Sequence, residues 1–297
     1  MKNLTLMKPT QTKPEKLRRV VYTPESQLRH PIRLFRLMLH DLIASRELAW
    51  RFFIRNLSAM YRQTLLGYAW AFLPPIATTL TFVFLNANKI FQVSETTIPY
   101  PAYVMVGTLL WQVFIDALNS PIKLLGSART MLAKVNFPRE ALILAGVGEV
   151  VFNFLIRLIL LVIVFVWYQV KLPVTAWAAP LGILMLIAMG LMIGILLAPL
   201  SVLYQDVEKG LAVFLGMWLL VTPVAYPLST KGLVGRVAQL NPVSPLIVGT
   251  RDLLTIGTLS QPGSFLWTGG ITLGLLLLGW LIYRLAMPHL IQRMTAS

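Results

Sequence analysis

Apolar residues dominate six long stretches of the chain, and the charged residues gather between them. Thr64 to Asn88, Ile98 to Pro121, Ala141 to Val170, Leu172 to Gln205, Gly210 to Thr230 and Leu253 to Tyr283 carry almost no charge. Each supplies the roughly 20 mainly apolar residues that a hydrocarbon core of about 30 Å demands of a helix. The pattern predicts an all-α membrane protein with six transmembrane helices. Pro74 and Pro75 fall near the middle of the first stretch, where a proline removes a backbone donor and kinks the helix. The fourth stretch is longer than one crossing needs and carries Pro173, Pro180 and Pro199, so its ends are expected at the interface.

Ahead of the apolar stretches the pattern changes twice. Residues 1 to 30, with Pro14, Pro24 and several Lys and Arg, read as a flexible basic cytoplasmic lead. From Pro31, a favourable first helical residue, Phe35, Met38, Leu39 and Leu42 recur at helical spacing while Arg29, Arg33, Arg36 and His40 lie on another face. This predicts an amphipathic helix resting on an anionic membrane surface. Arg51, Arg55 and Arg62 repeat the basic spacing just before the first span. The expected organisation is therefore a lead over 1–30, an interface helix with a basic flank over 31–63, and a six-span domain over 64–297.

Between Val221 and Trp267 the text differs again. Pro223, Pro227, Asn241, Pro242, Ser244, Pro245 and Pro262 divide apolar runs too short to span and too apolar for a free loop. Two re-entrant outer helices between spans five and six fit this pattern, because broken backbone at membrane depth survives only against protein or a watery cavity. An ordinary outer loop is the alternative.

Composition supports a membrane solvent. Hydrophobic residues make up 57% of the 297 residues and charged residues 12%, about half the usual soluble share of roughly 25%. In a soluble chain a net charge of +15 would suggest nucleic acid; here the charges flank the apolar stretches, which points to membrane lipids instead. Of the 26 Lys and Arg, 13 precede residue 64, so the amino terminus is expected in the cytoplasm. Six crossings from that start leave 20 basic residues inside and five outside, with Arg157 within a span, and put both termini in the cytoplasm. No apolar run follows the first 20 residues, so no cleavable leader is expected. With no cysteine, disulfides and thiolate metal sites are excluded.

Candidate chemistry is sparse. There is no G-x-x-x-x-G-K-[ST], H-E-x-x-H or G-x-S-x-G motif, and His30, His40 and His289 lie far apart. No catalytic residue, metal site or cofactor is expected on this chain. Within the third span, Glu149, Asn153 and Arg157 recur every fourth residue and share one helical face. Each charge costs about 2.5 to 3.5 kcal/mol at the membrane centre, so the face must meet protein or a polar path. Glu149 and Arg157 are two turns apart and cannot pair with each other. Two readings stand: an interhelical polar clamp with Asp116 as a partner, or a pathway lining. Of the aromatic residues, most read as interfacial belt. Tyr68, Trp70, Trp218 and Tyr226 are assigned to a central path, because flat rings suit sugar faces while their polar tips reach hydroxyls.

Several segments together resemble a family. Arg55 to Pro75 (RNLSAMYRQTLLGYAWAFLPP), Leu132 to Glu140 (LAKVNFPRE), Leu197 to Gly210 (LAPLSVLYQDVEKG), Thr222 to Ser229 (TPVAYPLS) and Leu240 to Leu254 (LNPVSPLIVGTRDLL) are similar, in order, to permease subunits of type-2 ABC exporters of bacterial polysaccharide. The resemblance covers nearly everything from about residue 40 onward. It implies a six-span half-channel in the inner membrane, working as a homodimer with two copies of a separate ATPase that carries the ATP and Mg. Its cargo would be O-antigen, capsule or teichoic acid chains, often lipid-linked. It implies that Asn136, Phe137, Pro138, Arg139 and Glu140 belong to a coupling helix docking on that ATPase. In this loop Pro138 can start the next helix, Phe137 is an apolar knob, and Arg139 and Glu140 are charged edges. Arg51, Arg55 and Arg62 either attract a pyrophosphate-linked lipid head at the inner rim or serve only as topology charges. The rival readings are an ABC permease for another lipid or a drug, a polyprenyl-lipid transferase, and an ion channel. The last two lack the clustered acids or repeated charge ring their chemistry needs.

Overall fold

The computed structural model describes residues 31–62, 67–90, 93, 95–134, 137–204, 206–228 and 232–296. The chain divides between His40 and Asp41. Helix α1 (Pro31–Ala44) carries the expected amphipathic stretch, and α2 (Arg46–Arg62) follows after a break at Ser45, whose hydroxyl turns back onto the Asp41 carbonyl. The bundle then comprises α3 (Leu73–Ala87), α4 (Tyr100–Ser127), α5 (Arg129–Lys134), α6 (Glu140–Trp167), α7 (Ala179–Leu203), α8 (Asp206–Val221), α9 (Gly232–Leu240), α10 (Val243–Thr255) and α11 (Pro262–Ala296). Short 3-10 helices at Gly67–Ala71 and Val174–Ala178 precede α3 and α7.

Among the described residues, four helical stretches are long and apolar enough to cross a membrane: Tyr100–Ser127, Glu140–Trp167, Val174–Leu203 and Pro262–Pro288. The other two expected spans are shorter helices. The 15 residues of α3 rise about 22 Å, with about 10 Å more from the 3-10 turn before it, and the 16 residues of α8 rise about 24 Å.

Two sequence expectations need correction. Pro74 and Pro75 do not kink a mid-span helix; they lie in the first turn of α3, where a backbone N–H has no helical partner to lose. The sixth span does not start at Leu253. That residue belongs to α10, Gly257 at φ 91 breaks the chain, and α11 begins only at Pro262 and continues to Ala296. In the fourth stretch Pro180 lies in the first turn of α7 and Pro199 inside that helix.

Contacts between helices fix their directions. Gly190 and Gly194 of α7 meet Phe114 and Leu118 of α4, and Gly269 and Gly279 of α11 meet Met185 and Leu196 of α7, so α4, α7 and α11 run parallel. The opposite order holds for α3, where Ala71 lies near Asp116 through Arg157 and Thr79 bonds Thr108, 3.2 Å apart. It holds for α6, where Gly146 meets Ser120 and Arg157 reaches Asp116. In α8, Glu208 lies beside Gly126 and Trp218 meets Phe114 and Trp111 edge to face, so it too opposes α4. Six segments thus alternate in direction along the chain.

Within the parallel trio α4 and α7 pack by backbone approach, while on α11 Gly269 makes room for the Met185 side chain. A methyl group on Gly194 would collide with the Leu118 carbonyl, and one on Gly190 would lie 2.5 Å from the Phe114 carbonyl oxygen. Four residues apart, these glycines make a small-xxx-small seam that lets helices close where lipid supplies no hydrophobic drive. Accordingly 78% of the apolar stretch of α4 is buried, against 22% for α6 and for α11, whose outer faces are Val, Ile and Leu.

Gly194→Ala should therefore cost about 1–3 kcal/mol of fold stability, the usual range for overpacking. Gly274→Ala, where a methyl group meets nothing within 4 Å, should be neutral. Thermal unfolding of the purified variants in mild detergent checks this, and equal midpoints for the two would contradict the seam.

Candidate functional site

Two polar links tie α6 to its neighbours. Arg157, 6% exposed, donates through Nη1 to Asp116 Oδ2 of α4 at 2.5 Å and through Nε to the Ala71 carbonyl at 3.0 Å. It closes the end of the 3-10 turn before α3 and ties three segments with one guanidinium. Two turns away Glu149 Oε1 accepts from Asn56 Nδ2 of α2 at 2.9 Å, and Asn56 Oδ1 accepts from Arg55 at 3.3 and 3.1 Å. Asn153 lies between them on the same face. The arrangement is an interhelical clamp, and it draws the basic flank of α2 onto α6.

The expected coupling loop is partly engaged within the chain itself. The Phe137 ring is half-buried 5.7 Å from that of Phe52. Glu140, 6% exposed, accepts from Arg284 Nη1 at 3.1 Å, while Arg284 Nη2 donates to Asp41 at 2.6 Å. Glu140 is therefore not a free charged edge; it joins the start of α6 to α11. Pro138 is exposed and Arg139 half-exposed; beside them Lys123, Arg129, Lys134 and Lys209 are exposed at the same end of the bundle. Asn136 lies outside the described residues.

The aromatic candidates separate into two pairs. Tyr68 and Trp70 are each 51% exposed at the 3-10 turn before α3. Trp218 meets Trp111 and Phe114 edge to face and Phe214 at a tilt, and its Nε1 donates to Asn241 Oδ1 at 3.1 Å. Asn241 Nδ2 in turn donates to Thr222 Oγ1 at 2.8 Å. Trp218 is thus the pin between α8 and the α9–α10 joint. Tyr226 donates from its hydroxyl to the Leu220 carbonyl at 3.1 Å. At the basic flank, exposed Arg51 is already paired with Glu47 at 2.8 Å. Arg55 lies 4.9 Å above the Phe52 ring, and Arg62 ends α2 with its side chain outside the described residues.

One central residue escaped the sequence reading. Arg251, which with Lys89, Lys171, Lys231 and Arg236 makes up the five basic residues that the six-crossing count leaves outside, is 2% exposed. Its Nη2 donates to the carbonyls of Pro223 and Val224 at 2.9 and 2.8 Å, and its guanidinium lies 3.9 Å above the Tyr103 ring. Gly107 clears the space, since a methyl group there would strike both Val224 and Arg251. Arg251 thereby satisfies the bend after α8 from α10, across 27 residues. The available signal was an Arg–Asp pair in a short apolar run already assigned to membrane depth.

The clamp has a measurable signature. Breaking a buried pair costs about 3–5 kcal/mol, whereas replacing both partners with apolar groups is often neutral. Arg157→Met and Asp116→Leu should each destabilise the protein, and the double variant should recover most of the loss. A double variant as unstable as the sum of the two would show that the charges do not act as a pair.

Residues 47–255 match the model of the ABC-2 type transporter family. Over 201 residues, 65% of this chain and 73% of the relative, the chain is 29% identical to an O-antigen export system permease protein, RfbA, of Myxococcus xanthus. Over 240 residues, 78% of this chain and 91% of the relative, it is 26% identical to the RfbA O-antigen permease of Klebsiella pneumoniae. The matched region begins in α2, spans the Arg157 clamp and ends with α10, which holds Arg251. The chain belongs to the ABC-2 type transporter family.

Proposed function

We propose that this chain is the membrane-spanning half of an ATP-driven exporter that moves a lipid-linked polysaccharide of the O-antigen kind across a bacterial inner membrane. It works as a homodimer with two copies of a separate ATPase, which supplies the ATP and Mg chemistry. The observation that carries this is the similarity, over 201 and 240 residues, to two O-antigen export permeases.

Six crossings are supported by the alternating directions of α3, α4, α6, α7, α8 and α11, and the cytoplasmic placing of both termini by the excess of basic residues at the Arg129 to Arg139 end. A re-entrant role for α10 is supported by packing: Thr250 lies against Gly182 of α7 and Phe265 of α11 against Gly249, with α9 as the second re-entrant piece before it. Coupling to the ATPase falls to Pro138 and Arg139 with exposed Arg129 and Lys134, because Phe137 and Glu140 are held within the chain. Glu140 and Arg284 then transmit rather than dock: movement of the loop pulls α6 and α11 together. Arg55 and Arg62 remain the cations for a pyrophosphate head at the inner rim, with Tyr68 and Trp70 beside the entry. Trp218 and Tyr226 line the outer part of the path.

Loss of this chain should leave polysaccharide in the cytoplasm and strip it from the surface. Arg129→Glu combined with Arg139→Glu should preserve membrane insertion but abolish copurification of the ATPase, with the same loss of surface polymer. Full ATPase retention and full export by that double variant would overturn the coupling assignment. Unchanged surface polymer after deletion of the chain would overturn the cargo.

A further inference from the structure

At the end of the bundle where α4, α7 and α11 begin, the joint between α9 and α10 faces the first turns of α11 across a cavity of about 650 Å³. That volume falls within the roughly 300–1,000 Å³ of small-molecule sites. Its lining mixes amide and hydroxyl side chains with Leu228, Leu240 and Ile271. Ser264 and Thr268 of α11 are four residues apart on one face, and Gln261, just before the helix, continues that spacing. Past Ile271 that helix becomes a run of Leu residues. Gln239 and Ser244 line the opposite wall. Ser244 is fully buried, and its hydroxyl has no hydrogen-bond partner among the described residues.

No ionisable side chain among the described residues lines the cavity. That argues against a phosphate or ammonium ligand, which in a partly desolvated site needs a counter-charge. Amides and hydroxyls, each offering donors and acceptors at short reach, suit a neutral ligand rich in hydroxyl groups. Trp267, 75% exposed at the rim, adds a flat apolar face of the kind that covers the C–H side of a sugar ring. A membrane-belt role would account for Trp267 alone. It leaves unexplained the amide and hydroxyl side chains on both walls and the unpartnered buried Ser244 hydroxyl. Asn241 also lines the cavity, but its amide is spent on Trp218, Thr222 and the Val243 N–H, so it forms fixed wall.

We propose that this cavity is a saccharide subsite that takes an uncharged sugar unit of the polymer as it leaves on the far side of the membrane. The proposal rests on the exporter reading for its ligand and on the cavity for its place. Because Asn241 joins the cavity wall to Trp218, occupation would bear on the α8–α10 pin.

The test uses the full chain in lipid nanodiscs, since sugar-headed detergents would compete for the site. The probe is a set of two- to four-unit neutral fragments cut from the host's own surface polysaccharide, with binding followed by calorimetry. Trp267→Ala and Gln261→Ala alter exposed side chains and should leave folding and assembly with the ATPase unchanged. Each should weaken fragment binding, Trp267→Ala by about tenfold, the value of one aromatic face, while Trp267→Phe should retain most of it. Inorganic pyrophosphate should not bind at the cavity. Fragment binding unaffected by both alanine variants, or no binding to the wild type, would overturn the subsite. Either result leaves the exporter reading intact, because that reading is decided by surface polymer after deletion of the chain.

Discussion

Close approach of α4 to its neighbours is the constraint on which the rest of this protein depends. In hydrocarbon, apolar side chains gain nothing by leaving lipid for protein, so helices hold together only where backbones come near or polar groups pair. Both devices converge on α4. Gly190 and Gly194 let α7 settle onto the carbonyls of Phe114 and Leu118, Gly146 of α6 leaves room for the Ser120 and Leu124 side chains, and Gly107 admits Arg251. Asp116 then anchors Arg157. The helix is enclosed, and the segments around it are set in direction and height by what touches it.

The buried charges follow from this. A buried charge is expensive unless it is paired or hydrogen-bonded; Arg157 meets that demand through Nη1 and Nε, and Arg251 through Nη2 and its stacked face, its Nε and Nη1 having no hydrogen-bond partner among the described residues. Arg157 meets a carboxylate and a carbonyl where α3, α4 and α6 come together. Arg251 meets two carbonyls and an aromatic face where the chain bends after α8. The first fixes the helical frame and the second the broken segments above it. Nearer the other end, Arg284 bridges Glu140 and Asp41 and closes the bundle below the α5 loop.

Much of this was legible in the chain because hydrophobic length and helical period are local properties. The apolar stretches, the amphipathic run from Pro31 and the division of the 221–267 region into short pieces all appear as elements. Proline was harder to read: Pro74 and Pro75 look like a mid-span break, but the helix they belong to starts with them. Leu253 continues the apolar text toward α11, yet Gly257 in a left-handed conformation separates the two helices. Partnerships were less visible still. Asp116 could be proposed for Arg157 because both are isolated charges in apolar text. Nothing local joins Glu140 to Arg284, 144 residues away, and Arg251 reads as a loop charge until its carbonyl partners are seen.

The central claim is that the shared starting end of α4, α7 and α11 and the loop after α4 lie on opposite sides of one membrane. The chain contains no cysteine, so single cysteines can be placed without removing any. In sealed cells an impermeant thiol reagent should label cysteine at Thr175 and at Ser260 from outside, and cysteine at Ser127 only after the membrane is opened. Labelling of Ser127 and Ser260 from the same side would contradict the account.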